Sequence, residues 1–301
     1  MIGPGSIRSL AAKRLRWRSL LALAFAACLQ LVTLPGHAQT PSSEIPRVSA
    51  DNLLQGLSVR GQWRFQPGDD LDWANPALDD SQWQSMGVPE RWPMGGYPDH
   101  GQMGWYRLTL IVDPSLRDTR MLDQLAVRMG KVLSAYELYA GGELIGSVGR
   151  LPPLNEVDYD RERVLAIDDS AVAADGRLVL ALRVWGGETM LVDTWGAGPV
   201  SGEFKLGYYR ELLLSGIFAE VPGLIFAAMT LFFGCYHLYL YGRNRKLKAF
   251  LWFGLMACNI AVYGVMITQW KYVTDLSFLT MKKIEFGAIY LFPAVGIQMI
   301  W

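Results

Sequence analysis

The side chains best suited to chemistry lie in two short stretches of the middle of the chain. Residues 91–103 (RWPMGGYPDHGQM) set Trp92, Tyr97, Asp99 and His100 among Gly and Pro, and residues 186–195 (GGETMLVDTW) offer Glu188, Asp193 and Trp195. Aromatic rings present flat faces to the C–H faces of a sugar, while acids and amides read its hydroxyls. These residues are the candidate ligand-binding set. The plainer alternative is structural, with Trp92 and Trp195 plugging the ends of a β-sandwich, the acids solvated and His100 a surface histidine. On sequence alone both readings stand.

Catalysis has less to recommend it. Asp69, Asp70, Asp72, Asp79 and Asp80 crowd into turns beside Pro and Gly, where Asp is favoured for Asx-type hydrogen bonds. A glycosidase needs two carboxylates held across a sugar with separated pKa values, and no spacing here supplies such a pair. The three cysteines are Cys28, Cys235 and Cys258, and the histidines besides His100 are His37 and His237, all outside the middle of the chain. A thiolate or multi-histidine metal site is therefore not expected there. No catalytic residue, cofactor or metal is expected.

The elements that must position these residues read as an exported β domain followed by membrane helices. The chain holds 28 Lys and Arg against 28 Asp and Glu, but Arg8, Lys13, Arg14, Arg16 and Arg18 all fall in the first 38 residues, which carry no acid. The remainder is acidic on balance, and no basic surface for nucleic acid is indicated. Those basic residues precede the apolar run 19–34 and the small residues around Ala38, the pattern of a secretory signal over residues 1–38. An uncleaved anchor helix and lipidation at Cys28 are the alternatives. Residues 39–57 read as a linker.

Residues 58–207 are punctuated by Gly, Pro, Asn and Asp between alternating apolar segments, the pattern of an all-β domain. Strands are expected at 62–66 around Trp63 and Phe65, at 105–113, at 124–129, at 134–140, at 143–148 after the turn Gly141-Gly142, at 163–167 and at 177–185. In the last, Leu178, Leu180, Leu182 and Val184 share the inward face. Many short strands with no long helical period suggest a two-sheet sandwich of jelly-roll type.

The order of several motifs carries a resemblance. They are GQWRF at 61–65, GDD at 68–70, DDSQW at 79–83, VPERW at 88–92, GWYR at 104–107, YELYAGG at 136–142 and LRVW at 182–185. Over about residues 58–199 the chain resembles the galactose-binding-like jelly roll that opens family 2 glycoside hydrolases, the β-galactosidase and β-glucuronidase group. It departs from the family at Ala140-Gly141, where Val-Asn often precedes the turn glycine. In those enzymes the catalytic carboxylates sit on a separate barrel domain, which this chain lacks, so the resemblance implies a binding fold rather than hydrolysis.

Beyond the β domain, residues 212–241 and 249–267 are apolar and long enough to cross a bilayer. The loop 242–248 between them carries Arg243, Arg245, Lys246 and Lys248 and no acid. Short loops rich in Lys and Arg stay in the cytoplasm, so the β domain is expected in the periplasm of a multi-pass inner-membrane protein. Residues 268–283 read as a periplasmic loop in which Lys282 and Lys283 run against that bias. Residues 284–301 begin a third span; its apolar part, 286–301, covers roughly 24 Å. The chain is accordingly expected to be part of a longer one. In-span Asn259 and Gln298 are assigned to interhelical hydrogen bonds.

The arrangement resembles bacterial seven-transmembrane receptors with diverse intracellular signalling modules. That resemblance implies a periplasmic sensor whose ligand, a saccharide in the first instance, biases a helical bundle coupled to a diguanylate cyclase, a kinase or a phosphatase outside this chain. The expected partners are that ligand and the lipid bilayer. The rival readings are a structural or dimerising interaction module and, less favoured, a membrane-tethered glycosidase.

Overall fold

The computed structural model describes residues 46–97, 103–113, 116, 124–187 and 196–300. The leader read over residues 1–38 lies outside the described residues, as do Asp99, His100, Glu188, Asp193 and Trp195.

Thirteen strands come first: β1 (Arg47–Val48), β2 (Leu57–Ser58), β3 (Gly61–Pro67), β4 (Gln84–Val88), β5 (Met103–Val112), β6 (Leu125–Met129), β7 (Lys131–Leu133), β8 (Ala135–Ala140), β9 (Glu143–Val148), β10 (Arg163–Ala166), β11 (Arg177–Trp185), β12 (Gly198–Ser201) and β13 (Lys205–Tyr208), with helix α1 (Ala50–Gln55) between β1 and β2. The large sheet runs β4-β3-β5-β11-β8-β9 with β1 parallel to β5, the small sheet runs β10-β6-β13-β2, and β12 pairs with β7. Alternation decides what each face buries. Tyr106, Leu110, Leu138, Leu178, Leu180, Leu182 and Val184 of the large sheet meet Val127, Met129, Leu165 and Leu206 of the small sheet in one core. The hairpin β8–β9 turns at Gly141 and Gly142, whose φ values of 58° and 94° are open to glycine at little steric cost.

The opposite face of the large sheet is also covered. Trp105 and Ala181 pack with Trp73, Trp83 and Tyr139 beneath the segment that includes the 3₁₀ turn Leu71–Ala74. Short Asx-type bonds shape this segment: Asp70 accepts from Asp72 N at 2.9 Å and Asp79 from Ser81 N at 3.0 Å. Arg107, 1% exposed, fastens it by donating to Asp80 at 2.8 Å and to the carbonyl of Asn75 at 3.1 Å. Asp69 holds Arg183 at 2.6 Å, and that guanidinium keeps the Asp69 carboxyl below its ordinary pKa against the opposing effect of burial. Asp69, Asp70, Asp79 and Asp80 thus do structural work.

Two sequence expectations are corrected. The linker read over residues 39–57 is, from Arg47 onward, folded as β1, α1 and β2, because Val48 and Leu53 are each 1% exposed in the main core. Trp92 is no surface platform. It is 2% exposed, it donates through Nε1 to Tyr106 Oη at 2.7 Å, and its ring stands 5.9 Å from that of Phe65.

The helices follow without a linker: α2 (Tyr209–Arg243), α3 (Lys248–Met266) and α4 (Phe278–Ile300). Helices α2 and α3 are long and apolar enough to cross a membrane. They pack antiparallel at glycines. A Cβ on Gly234 would fall 2.9 Å from Cys258 N, and one on Gly254 3.0 Å from the Gly234 carbonyl, so the absent side chains let the backbones approach. Asn259 donates to the Ala288 carbonyl at 2.8 Å, the interhelical hydrogen bond expected of it, and joins α3 to α4. The third helix starts at Phe278, earlier than the expected 284 and inside the stretch read as a loop. Ser277 opens it, its carbonyl accepting from Met281 N at 3.0 Å, and the helix extends 23 residues, roughly 34 Å.

Trp92→Ala should lower the stability of the β region by about 3–5 kcal/mol, read as a shift of the urea midpoint for proteolysis of the detergent-solubilised chain. A change below about 0.5 kcal/mol would return Trp92 to the surface.

Candidate functional site

The densest polar constellation among the described residues lies where the β region meets the ends of the helices. It is built on residues 158–162 (DYDRE), the approach to β10. The segment is held to its own domain by Asp158 N, which donates to the Ser134 carbonyl at 3.2 Å, and by the paired backbones of Arg150 and Glu156. Each of its residues then reaches the helical part. Asp158 accepts from Tyr272 Oη at 2.9 Å. Tyr159 meets Phe278 edge-on at 5.0 Å and lies 5.2 Å from Lys282 Nζ. Arg161 stacks its guanidinium 4.9 Å over Tyr272. Glu162 donates its backbone N–H to Gln269 Oε1 at 3.0 Å and pairs with Arg128 at 2.9 Å.

Asp160 is the centre. Its carboxylate accepts from Lys131 of β7 at 2.5 Å, from Lys282 of α4 at 2.7 Å and from Lys271 of the 3₁₀ turn Gln269–Val273. Lys271 has no exposed side-chain surface and Asp160 only 9%. Lys271 also donates to the Met266 carbonyl at the end of α3 at 2.9 Å, and Lys282 pairs with Glu285 at 2.8 Å. Gln269 completes the joint: its Nε2 donates to the Asp160 carbonyl at 3.0 Å and its backbone N–H to Glu220 of α2 at 3.2 Å.

Electrostatics follow from this geometry. Burial alone would raise the Asp160 pKa, but the surrounding ammoniums outweigh it and hold the carboxyl at about 2. Asp158 moves the other way, raised by burial, with the Tyr272 hydroxyl only partly offsetting it. The Tyr272 phenol is pushed far up by its own burial and by Asp158, and stays neutral. The site can hold charge and bind the two parts to each other. Among the described residues no group of three or more His, Cys, Asp or Glu is placed to hold a metal.

Of the residues singled out from sequence, Trp92 is core. Tyr97 packs edge-on against the same Phe65 at 4.8 Å and donates its hydroxyl to Gln84. Arg243, Arg245, Lys246 and Lys248 are all exposed at the far end of the α2–α3 hairpin, with no ion pair among the described residues. Gly216 of α2 lies against Arg128 of β6, which puts that loop roughly 40 Å from the β region along the helix. Sequence reasoning missed Lys131, Asp158, Asp160, Gln269 and Lys271. One signal pointed there, since Lys282 ran against the charge bias expected of its side, and Asp160 with Glu285 is what neutralises it.

No family model and no curated protein matches the chain. Solved structures similar to it include a β-glucuronidase of Bacteroides uniformis, 22% identical over 50% of this chain and 17% of its own, TM-score 0.39. A glycosyl hydrolase family 2 member from Bacteroides cellulosilyticus is 21% identical over 50% of this chain and 20% of its own, TM-score 0.39. The β-glucuronidase of Bifidobacterium dentium complexed with coumarin-3-O-glucuronide is 18% identical over 42% and 20%, TM-score 0.34. The chain spans about a fifth of the length of these enzymes.

Asp160→Asn should destabilise the joint by about 3–5 kcal/mol, because buried ammoniums lose the partner that compensates them. Hydrogen exchange at residues 269–273 should accelerate while the β8–β11 amides stay protected; equal protection in both proteins would remove Asp160 from the centre. The acid response has a definite sign. A carboxyl held at about 2 against roughly 3.9 unfolded contributes its full stabilisation above pH ~4 and loses it between about 4 and 2. Asp158, being raised, works against that loss. A carboxyl-carbon titration in micelles should place the Asp160 midpoint below and the Asp158 midpoint above the ordinary aspartate value; the reverse order would overturn the assignment.

Proposed function

We propose that the chain is the sensing portion of a bacterial inner-membrane receptor. Its β region is a galactose-binding-like jelly roll in the periplasm that takes an extracellular ligand, carbohydrate in class. Its helices cross the membrane and receive the ligand's effect through residues 158–162. The observation that carries this reading is the interlock itself. A tether needs only the covalent passage from β13 to α2, whereas here a second attachment clamps the loop before β10 onto the α3–α4 connection. A displacement of the β region relative to α2 must then move Lys271 and Lys282. A ligand shifts that equilibrium only by the difference in its affinity for the two arrangements.

The orientation rests on the four exposed cations at the far end of the hairpin, which the positive-inside bias holds in the cytoplasm. The ligand is assigned to the loops 91–103 and 186–195. With Trp92 withdrawn into the core, the remaining candidates are Tyr97, Asp99, His100, Glu188, Asp193 and Trp195.

Titration of the full chain in nanodiscs with a glycan panel should give saturable heat with at least one sugar, weakened several-fold by Tyr97→Ala, the scale of one lost aromatic contact. Silence across the panel would remove the carbohydrate half of the proposal, and self-association in its place would favour the interaction module. A periplasm-dependent reporter enzyme fused after Lys246 should be inactive; activity there would invert the topology and end the receptor reading.

A further inference from the structure

Beside the Asp160 cluster a cleft of about 1390 Å³ opens between the β9–β10 connection and the first turns of α4. Arg150, Arg161 and Lys283 are among the residues that line it, beside Lys282 of the cluster. Lys283 is exposed and has no ion pair among the described residues. Arg150 has only a surface pair with Glu156, both 60% exposed, and such pairs contribute little. Arg161 stands 3.7 Å from Asp158, a loose partner. Glu156, Asp158 and Asp275 also line the cleft, yet cleft and cluster together hold one cation more than they hold carboxylates.

The α4 residues that line the cleft have a different character. Lys283, Phe286, Gly287 and Tyr290 follow the helical period, so one stripe of α4 runs from charge to aromatic surface along the cleft. From Lys283 to Tyr290 is roughly 10 Å along the axis. Phe286 and Tyr290 are exposed, and a Cβ on Gly287 would meet nothing within 4 Å, which leaves a groove between the rings. Phe286 and Tyr290 stand on a helix read as membrane-embedded, where an acyl chain is the group that meets them, and a purely apolar segment has no use for the cations beside them.

We propose that this cleft seats an anionic glycerophospholipid of the phosphatidylglycerol kind. Its single phosphodiester charge sits at Arg150, Arg161 and Lys283, and an acyl chain lies over Gly287 between Phe286 and Tyr290. This rests on the reading of the helices as membrane-embedded. It adds to that reading a specific lipid wedged against the joint between the sensor and its helices. A lipid held there touches the loop that carries Asp160 and the helix that carries Lys282, so its occupancy would tune how firmly the joint closes.

The test is native mass spectrometry of the full chain released from nanodiscs of equal phosphatidylglycerol and phosphatidylethanolamine, with alkaline carbonate extraction run in parallel. The wild-type chain should retain phosphatidylglycerol about fivefold over phosphatidylethanolamine, the effect of one basic residue on an anionic headgroup. Lys283→Met should abolish the preference, Gly287→Trp should reduce retention of both lipids by filling the groove, and the distal control Lys248→Met should change neither. Lys283 and Gly287 touch no member of the Asp160 cluster by hydrogen bond or ion pair, so the joint stays intact in both variants. A chain that resists extraction but shows no preference, or keeps it in Lys283→Met, overturns the lipid site and leaves the membrane reading standing. A chain extracted by carbonate overturns both. Cross-linking of a Gly287→Cys variant to a second copy in place of lipid also overturns the site.

Discussion

A lysine ammonium with no exposed surface and a carboxylate with almost none can be buried only together, and here they come from different halves of the chain. Asp160 belongs to the β region, Lys271 to the turn between α3 and α4. Taking either from water alone costs several kcal/mol, and mutual attraction repays this only in good geometry with the remaining lone pairs and protons satisfied. The Met266 carbonyl, Lys131, Lys282 and Glu285 supply that satisfaction. Everything else about how the two halves meet follows from this requirement. An apolar contact of the same size has no directional bonds to fix its register. A shared carboxylate with three directional donors has one register, and leaving it means exposing or orphaning charge.

The helical hairpin is held by the opposite kind of contact. Gly234 and Gly254 bring the α2 and α3 backbones together, so close packing is what they gain. Polarity is concentrated where the helices meet the β region, and close-packed small residues lie along their length. Of the contacts the helices make, those at the joint depend on charge, and another charged group can bias them. The far basic loop, roughly 40 Å away along α2, is insulated from it by the length of the hairpin.

Much of the β region was legible in the sequence, because alternation is a local signal. Leu178, Leu180, Leu182 and Val184 lie in the core as their spacing requires, and Gly141-Gly142 turns where two glycines between alternating runs should turn. Trp92 misled because its neighbours are Pro, Gly and Arg, the company of an exposed loop. What buries it is the Tyr106 hydroxyl, fourteen residues on, a partner no local pattern announces. Residues 47–58 misled for a related reason, since a six-residue helix with Leu53 as its buried residue gives too few turns for a period to show. The start of α4 was hidden by its own charges. Lys282 and Lys283 read as loop until Asp160, more than a hundred residues earlier, is known to pair with Lys282. Local chemistry writes strands and turns into the sequence; the pairing of a distant acid with a distant base leaves only an unexplained charge.

The sheet order says how an event at one end of the β region could reach the helices. The loop 91–103 joins β4 to β5 and the loop 186–195 follows β11, all strands of the large sheet. Both exits toward the helices belong to the small sheet: β13 runs into α2, and residues 158–162 lead into β10. Between those two strands lies β6, whose Arg128 pairs with Glu162 and rests against Gly216 of α2. The small sheet is thus tied to both attachments, one covalent and one electrostatic, and the shared core joins it to the large sheet. Cores packed at crystal density deform little and transmit strain. A ligand that shifted the large sheet would therefore move the small sheet as a body. Because the covalent exit at Tyr208 is fixed in length, the displacement has to appear at the other attachment, as a change in how squarely Asp160 meets Lys271 and Lys282.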